Sequence, residues 1–513
     1  IQAIKGAGYA VPQNFGIETP PKAEMGDFAT NVAMIIGGRD KISPKRVAKK
    51  IIEVLNKEKD ITKADIADPE FINIFINSRI YEQEFNKILS EKENYGRGEK
   101  KLTKVNVEYI SANPTGPLHA GNARGGPIGE ALANLFQFLG YEVVREFYVN
   151  DMGLQIERFG NSLYYWFAKK EDARIEFPED GYPGGYIKEI SEIVQKEKKE
   201  ELFKLKDKDE IIKFFVKEGL YYTVKSMRED AKLLGIKFDK WAYESDLVFS
   251  GKTNRAIDIL KQKDFTTQKE GAVWFKNPED RELADKESVL IKSDGKSLTY
   301  FANDIAYHMD KFERGHDLLI DIWGANHHGH LLRFKAAMRA VGTPDDKIVI
   351  LFYQYIRLKK AGKAVSMGKR LGNFVTLRQV IEAGVAPDAF KYFILSQNPN
   401  TPFDFDLQSA ADTSEKNPVY YIKYAHARIC SILKKTKGES AGAKLKIAAL
   451  NHPKEVALYK ELVKFKQIIE QISEDFQIQT LPHYAYKIAG LFHDFYASCP
   501  VLGSDKKTRE ARL

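Results

Sequence analysis

Val47, Ile51, Ile52, Val54 and Leu55 recur at helical spacing behind Ser43-Pro44, a cap followed by a proline at the first helical position. Phe71-Ile72-Asn73-Ile74-Phe75-Ile76, short, aromatic and β-branched, predicts a strand instead. Residues 1–95 therefore read as a small α/β module, ended by the linker Asn94-Tyr95-Gly96-Arg97-Gly98. Val105, Val107 and Tyr109 then alternate with Asn106 and Glu108, the pattern of a half-buried strand. After a Pro/Gly-rich turn from Ser111 to Asn122, the apolar positions Ile128, Ala131, Leu132, Leu135, Phe136 and Leu139 repeat at helical spacing up to Gly140. Tyr141 to Val149 reads as a second strand. Strand, loop, helix, strand is the βαβ unit of a doubly wound parallel sheet, in which ligands sit at the carboxyl ends of the strands.

Residues 155–270 change character, turning rich in Lys and Glu, and read as a solvated helical insertion that splits the sheet. Strand-like and helical segments resume from Ala272 to Leu358, and the pattern from Leu407 onward is almost entirely helical. The expected organisation is an N-terminal module over 1–95, a split Rossmann domain over 96–405 and a C-terminal all-α bundle over 406–513. A length of 513 residues suits such a three-part chain. The first residue is not Met and the last residues are helix formers, so both natural ends are expected to lie beyond the chain.

Two cysteines, Cys430 and Cys499, exclude an all-cysteine zinc site and a multi-bridge secreted scaffold. No apolar run approaches the roughly 20 residues that cross a bilayer, so a cytoplasmic protein without a membrane partner is expected. The net charge of +8 says little when spread over the whole chain. Residues 423–466 alone hold eleven Lys or Arg and three Glu, so the excess is local, and Tyr interleaved with basic residues suits single-stranded nucleic acid.

Chemistry concentrates in Val107 to Asn122. Between a strand and a helix start, unpaired N–H groups and the helix dipole favour an anion. His119 and Asn122 add side-chain donors, and Gly121 has no side chain to block a flat base. A nucleotide fits there, and so does a plain capped helix. Neither Gly-x-Gly-x-x-Gly nor Gly-x-x-x-x-Gly-Lys-Ser/Thr occurs at this point, against a dinucleotide enzyme or a P-loop NTPase. Ile322 to His330 carries three histidines, but adjacent His327 and His328 diverge on regular backbone and no Cys or carboxylate stands at a familiar spacing, so no metal site is expected.

The stretch from Val107 to Asn122, continuing through Ala123-Arg124-Gly125-Gly126, resembles the first signature of class I aminoacyl-tRNA synthetases as arginyl-tRNA synthetases of bacterial type carry it. Asn122 replaces the last histidine of its His-Ile-Gly-His form. Ala361 to Asn373 is similar to the family's Lys-Met-Ser-Lys-Ser loop, with Ser366 for the first lysine, Gly368 for the serine, and Lys369 keeping the second lysine beside Lys363 and Arg370. Gly324-Ala325-Asn326-His327-His328-Gly329 resembles the adenosine-holding run, with Asn326 where Asp is usual.

The resemblance implies ATP contacts at His119, Gly121, Asn122, Gly324, Asn326, His330, Met367 and Lys369, with His119, Asn122 and Lys369 catalytic and Mg2+ sharing the phosphate charge. A guanidinium requires carboxylates placed for charge-assisted bonds. Glu108 is one candidate, and Asp304, four residues from Tyr300 and on its face if helical, is another. In the family the matching residues hold arginine, which extends the set to Ser111, Asn113 and His327. Tyr420, Tyr424 and Arg428 open what looks like the anticodon-binding bundle. The implied function is ATP-dependent activation of L-arginine and transfer to tRNA(Arg), by a monomer, with activation requiring bound tRNA. The alternatives are a small-molecule adenylyltransferase with a His-x-Gly-His loop and a non-catalytic RNA-binding relative of the synthetases.

Overall fold

The computed structural model describes residues 1–170, 172–276, 288–360, 363–364, 375–436 and 447–513, and divides into two compact units. The first comprises Ile1–Tyr95, Tyr424–Lys466 and Lys487–Leu513. Its antiparallel sheet runs in the order Ile17–Glu18, Phe28–Thr30, Phe71–Ile76, Ile61–Ala67. Helices Val32–Asp40 and Pro44–Leu55 cover it, burying Val32, Ile36, Val47, Ile51 and Ile72. Pro44 does occupy the first helical turn, but the Ser43 side chain makes no cap hydrogen bond. Helix Ser78–Glu91 leaves this module and packs, through Tyr81, on Ile447, Leu450 and Tyr459 of the C-terminal region.

The second unit comprises Gly96–Lys423 and Gln467–Tyr486. Its five-stranded sheet is parallel throughout, in the order Ile348–Tyr353, Leu318–Gly324, Lys104–Glu108, Glu142–Val149, Lys240–Tyr243. Numbered by sequence that order is 5-4-1-2-3, the doubly wound arrangement, with its switch point between Lys104–Glu108 and Leu318–Gly324. The split Rossmann class is therefore as expected. A smaller antiparallel sheet, Thr266–Lys269, Ala272–Phe275 and Ser288–Ile291, precedes helix Tyr300–Glu313.

Two expectations change. The stretch 155–270 is not helical throughout: after helices from Leu154–Ala168 to Lys208–Leu233, Lys240–Tyr243 returns as the edge strand of the main sheet, and Thr266–Lys269 is a strand as well. Four residues are too few to display a period of two among lysines and glutamates. Lys104–Glu108 is buried on both faces rather than on one, because it is the central strand and helices cover each side. Asn106 and Glu108, which alternate as a solvent face would, point into protein: Asn106 Nδ2 donates to Glu146 Oε2 at 2.6 Å, and Glu108 accepts from Lys311. No helix of the described residues is long and apolar enough to cross a membrane.

Candidate functional site

The switch point opens into a cavity of about 450 Å³. Its shape begins at the end of the central strand, where Ile110 and Ser111 take φ of 68° and 36° and Ser111 N donates to Tyr109 O at 3.0 Å. A positive φ at a β-branched residue is strained, and such strain is held where packing overdetermines it. The turn throws Ser111 back on the strand: its Oγ donates to Glu108 Oε1 at 2.8 Å and accepts from Tyr148 N at 3.1 Å. Asn113 follows and donates to Gln155 Oε1 at 2.7 Å. Glu108, Ser111, Asn113 and Asn122 all line the cavity.

His119 is the N-cap of the short helix Ala120–Ala123, its Nδ1 accepting from Asn122 N at 3.1 Å. A neutral imidazole accepting at Nδ1 carries its proton on Nε2. A Cβ on Gly121 would stand 3.1 Å from that same Nδ1, so the missing side chain makes room for the folded-back ring of His119 rather than only for a ligand. Arg124, fully buried, donates to the carbonyls of Gln354, Asn398 and Thr401, which fixes the start of helix Gly125–Phe138 behind the turn.

The opposite wall is helix Tyr300–Glu313, started by the Thr299 cap. Tyr300 and Asp304 share the face turned to the cavity, and Tyr307 and His308 continue it. Below them Lys311, with no exposed surface, donates to Glu108 Oε2 at 2.6 Å and Asp321 Oδ1 at 2.7 Å. His308 lies 2.9 Å from Asp321 Oδ2 and 2.7 Å from the Asp304 carbonyl. Lys311 and His308 hold Asp321 well below the usual carboxylate range despite its burial, and the two carboxylates hold Lys311 above the usual lysine value.

Asp304 is different: no hydrogen bond to its carboxylate from a described residue stands beside those of Glu108 and Asp321. Desolvation, assisted by the negative charge of Glu108, pushes it up to about 7. Glu244 behaves alike. It is buried, bonded to Asn303 through Oε1, has no partner for Oε2 among the described residues, and is pushed up to about 7 by desolvation. The buried Tyr148 hydroxyl, on the cavity wall, also has no hydrogen-bond partner among the described residues. Such unmatched polar atoms suit a polar, cationic ligand.

At the mouth, Gly324, Asn326, His327 and His330 come from the end of the fourth strand and the turn after it. Asn326 Oδ1 lies 2.7 Å from where a Cβ on Gly324 would stand, so glycine makes that approach possible. His328 instead stacks on Phe352, ring centroids 3.8 Å apart. Met367 and Lys369 lie outside the described residues, as do Ser366, Gly368 and Arg370; Lys363 is described only as part of a two-residue strand, Lys363–Ala364. Tyr420 belongs to the unit with the parallel sheet, and Tyr424 and Arg428 to the other. There Arg428 lies between the rings of Tyr424 and Tyr496, 4.2 and 4.5 Å from their centroids, at a cavity of about 540 Å³.

Lys311, Asp321, Glu244, Tyr148 and Gln155 went unnoticed in the sequence. For Lys311 a signal existed: 300, 304, 307, 308 and 311 form a polar stripe at helical spacing along this helix. Glu244 carries none, because only the return of Lys240–Tyr243 to the sheet brings it near the cavity.

Residues 1–76 match the arginyl tRNA synthetase N-terminal domain, residues 84–430 the catalytic domain of class I (R) tRNA synthetases, and residues 422–513 the DALR anticodon binding domain. An arginine–tRNA ligase of Caldanaerobacter subterraneus subsp. tengcongensis is 38% identical, over 98% of this chain and 90% of its own. One of Ruminiclostridium cellulolyticum is 41% identical, over 97% of this chain and 89% of its own. The arginyl-tRNA synthetase of Thermus thermophilus shares the fold, with a TM-score of 0.79 at 20% identity, covering 100% of this chain and 94% of that one. With the catalytic model spanning most of its length and relatives matched nearly end to end, the chain belongs to the arginyl-tRNA synthetase family of class I.

Proposed function

We propose that the protein activates L-arginine with ATP and transfers it to the 3′ end of tRNA(Arg). The observation that carries the arginine specificity is Asp304: a desolvated carboxylate with no ion pair among the described residues, beside Tyr300, at the switch point of the sheet. A guanidinium supplies the permanent charge and the planar donors that this group lacks. Glu108, Ser111 and Asn113 hold the amino-acid end of the substrate, with Glu108 fixed in place by Lys311.

The reaction is in-line attack of the arginine carboxylate oxygen on the α-phosphorus of ATP. An O–P bond forms, the bond to the β-phosphate oxygen breaks, and pyrophosphate leaves. Catalysis is then positioning and stabilisation of developing negative charge. The N-terminus of Ala120–Ala123, the Nε2–H of His119 and the amide of Asn122 donate to the phosphates, Lys369 reaches them from the loop after Lys363, and Gly324, Asn326, His330 and Met367 take the adenosine. Mg2+ bound with the ATP would share the charge of its phosphates. Tyr420, Tyr424 and Arg428 face the tRNA. Arginine-dependent pyrophosphate exchange, with and without the tRNA, tests the reading. No exchange with arginine, ATP and tRNA(Arg) together would refute it.

A further inference from the structure

Two backbone hydrogen bonds tie the first-signature turn to the chain that follows the basic loop. Leu377 N donates to Leu118 O at 2.8 Å and Ala120 N to Val375 O at 3.1 Å, which pairs His119 with Thr376 as an antiparallel bridge. Thr376 caps helix Leu377–Glu382 in a reciprocal box with Gln379. On the first turn of that helix, Arg378 donates through Nε to Asp230 Oδ1 at 2.6 Å and through Nη2 to Glu229 Oε2 at 3.0 Å. The other oxygen of Asp230 accepts from Leu118 N at 3.4 Å. Asp230 has no exposed surface and sits near the end of helix Lys208–Leu233, inside the stretch that reads as a mere solvated insertion.

We propose that Asp230 is a positioning residue for adenylation: one buried carboxylate from the insertion clamps Leu118 and Arg378, and so sets where His119 and Asn122 stand. The second oxygen of Asp230 accepts from the N–H of the residue before the signature histidine, which joins the ion pair to the turn. Leu118 is held from both sides, its N–H by Asp230 and its C=O by Leu377. The His119 ring is fixed in turn by Asn122 N, so a shift of Leu118 moves both donors together. Glu229 is half-exposed and binds only the outer nitrogen of Arg378, which leaves Asp230 as the member that reaches the turn.

The inference rests on the activity proposed above, and the experiment separates the two. Pyrophosphate exchange is measured on the full chain with tRNA(Arg) present, for the wild type, Asp230→Asn, Arg378→Gln, the double variant, Arg378→Lys and Glu229→Gln. The expected result is a kcat roughly ten-fold lower in Asp230→Asn and Arg378→Gln, since small misplacements of reacting groups cost rate. KM for arginine and ATP should stay within about two-fold. The double variant should be no worse than Asp230→Asn alone, Arg378→Lys should recover most of the rate, and Glu229→Gln should match the wild type. Active-site titration normalises each rate to folded enzyme, and Arg378→Gln, at a partly exposed side chain, covers the case in which Asp230→Asn fails to fold. Wild-type rates in both single variants, losses confined to KM, or multiplying losses in the double variant would overturn the inference and leave the enzyme's activity standing. An inactive wild type would overturn both.

Discussion

Lys311 and Lys435 are the same side chain in opposite surroundings. Lys311 is buried between Glu108 and Asp321 under the switch-point cavity, whereas Lys435 is exposed at the end of helix Pro418–Lys435 in the basic segment. In the first setting each charge has a named partner at hydrogen-bond distance and alters the protonation of its neighbours. In the second a charge acts through the field it shares with others and is screened by salt. The basic segment is also less bare than its count suggests. Lys454 pairs with Asp494, Lys460 with Asp27, Lys464 with Glu461, and Arg512 from further along takes Glu455. Lys454 and Lys460 are matched by acids from outside the segment, whereas Arg512, also from outside, offsets one of its glutamates, so the local excess of +8 is only partly reduced.

Lys311→Met should produce the largest effect. Two buried carboxylates lose their shared cation, a change worth about 3–5 kcal/mol, visible as a large drop in the thermal midpoint. Lys435→Met should move stability by less than about 0.5 kcal/mol. Similar midpoints for the two variants would erase the distinction between them.

Asp304→Asn removes the cavity carboxylate assigned to the guanidinium. A charge-assisted hydrogen bond contributes about 1.5–3 kcal/mol, so KM for arginine should rise roughly ten- to a hundred-fold with KM for ATP nearly unchanged. Equal changes in both would place the guanidinium elsewhere.

The next effect is on pH dependence. Asp304 and Glu244, both pushed up to about 7, are largely protonated at pH 6 and ionised at pH 8. A guanidinium binds the ionised form, so KM for arginine should fall as pH rises through 7, by up to about ten-fold per unit, and flatten in Asp304→Asn. The sign reverses for stability: the folded protein keeps protons that the unfolded chain has released, so these two groups make stability decline between about pH 4 and pH 7. A pH-independent KM for arginine would show that neither group titrates in the free enzyme.

Salt should give the smallest change at the cavity and a clear one at the basic segment. Between 50 and 200 mM salt, values typical for phosphate contacts, tRNA affinity should fall steeply while KM for arginine barely moves. A Lys434→Gln/Lys435→Gln variant should show a shallower salt slope, and an unchanged slope would assign the tRNA contact to other residues.

How much of this was legible in the sequence varies by residue. Tyr300 and Asp304 could be set on one face by counting, because helical periodicity is local, and the structure puts both on the cavity wall. Asn106 and Glu108 misled, since alternation cannot distinguish a solvent face from a buried face supplied with partners from a distant helix. Lys240–Tyr243 escaped notice because a four-residue edge strand gains its identity from Glu142–Val149 beside it rather than from its own pattern. The role of Asp230 depends on Leu118 and Arg378, separated from it by 112 and 148 positions in the chain.

By itself the sequence determined the opening βαβ unit, the doubly wound class and the family, with the signature residues from His119 to Asn122. Those properties reside in short stretches, where spacing and residue type suffice. Only the tertiary structure decided which charges are free to meet a substrate. Glu108, Asp304 and Asp321 are alike on paper, but packing places Lys311 at hydrogen-bond distance from the first and the last, whereas His308 and Lys311 act on Asp304 only through their fields, and desolvation outweighs them. The reason is physical: a carboxylate's charge state is set by desolvation and by the groups within a few ångströms of it, and here those groups come from strands and helices far apart in the chain.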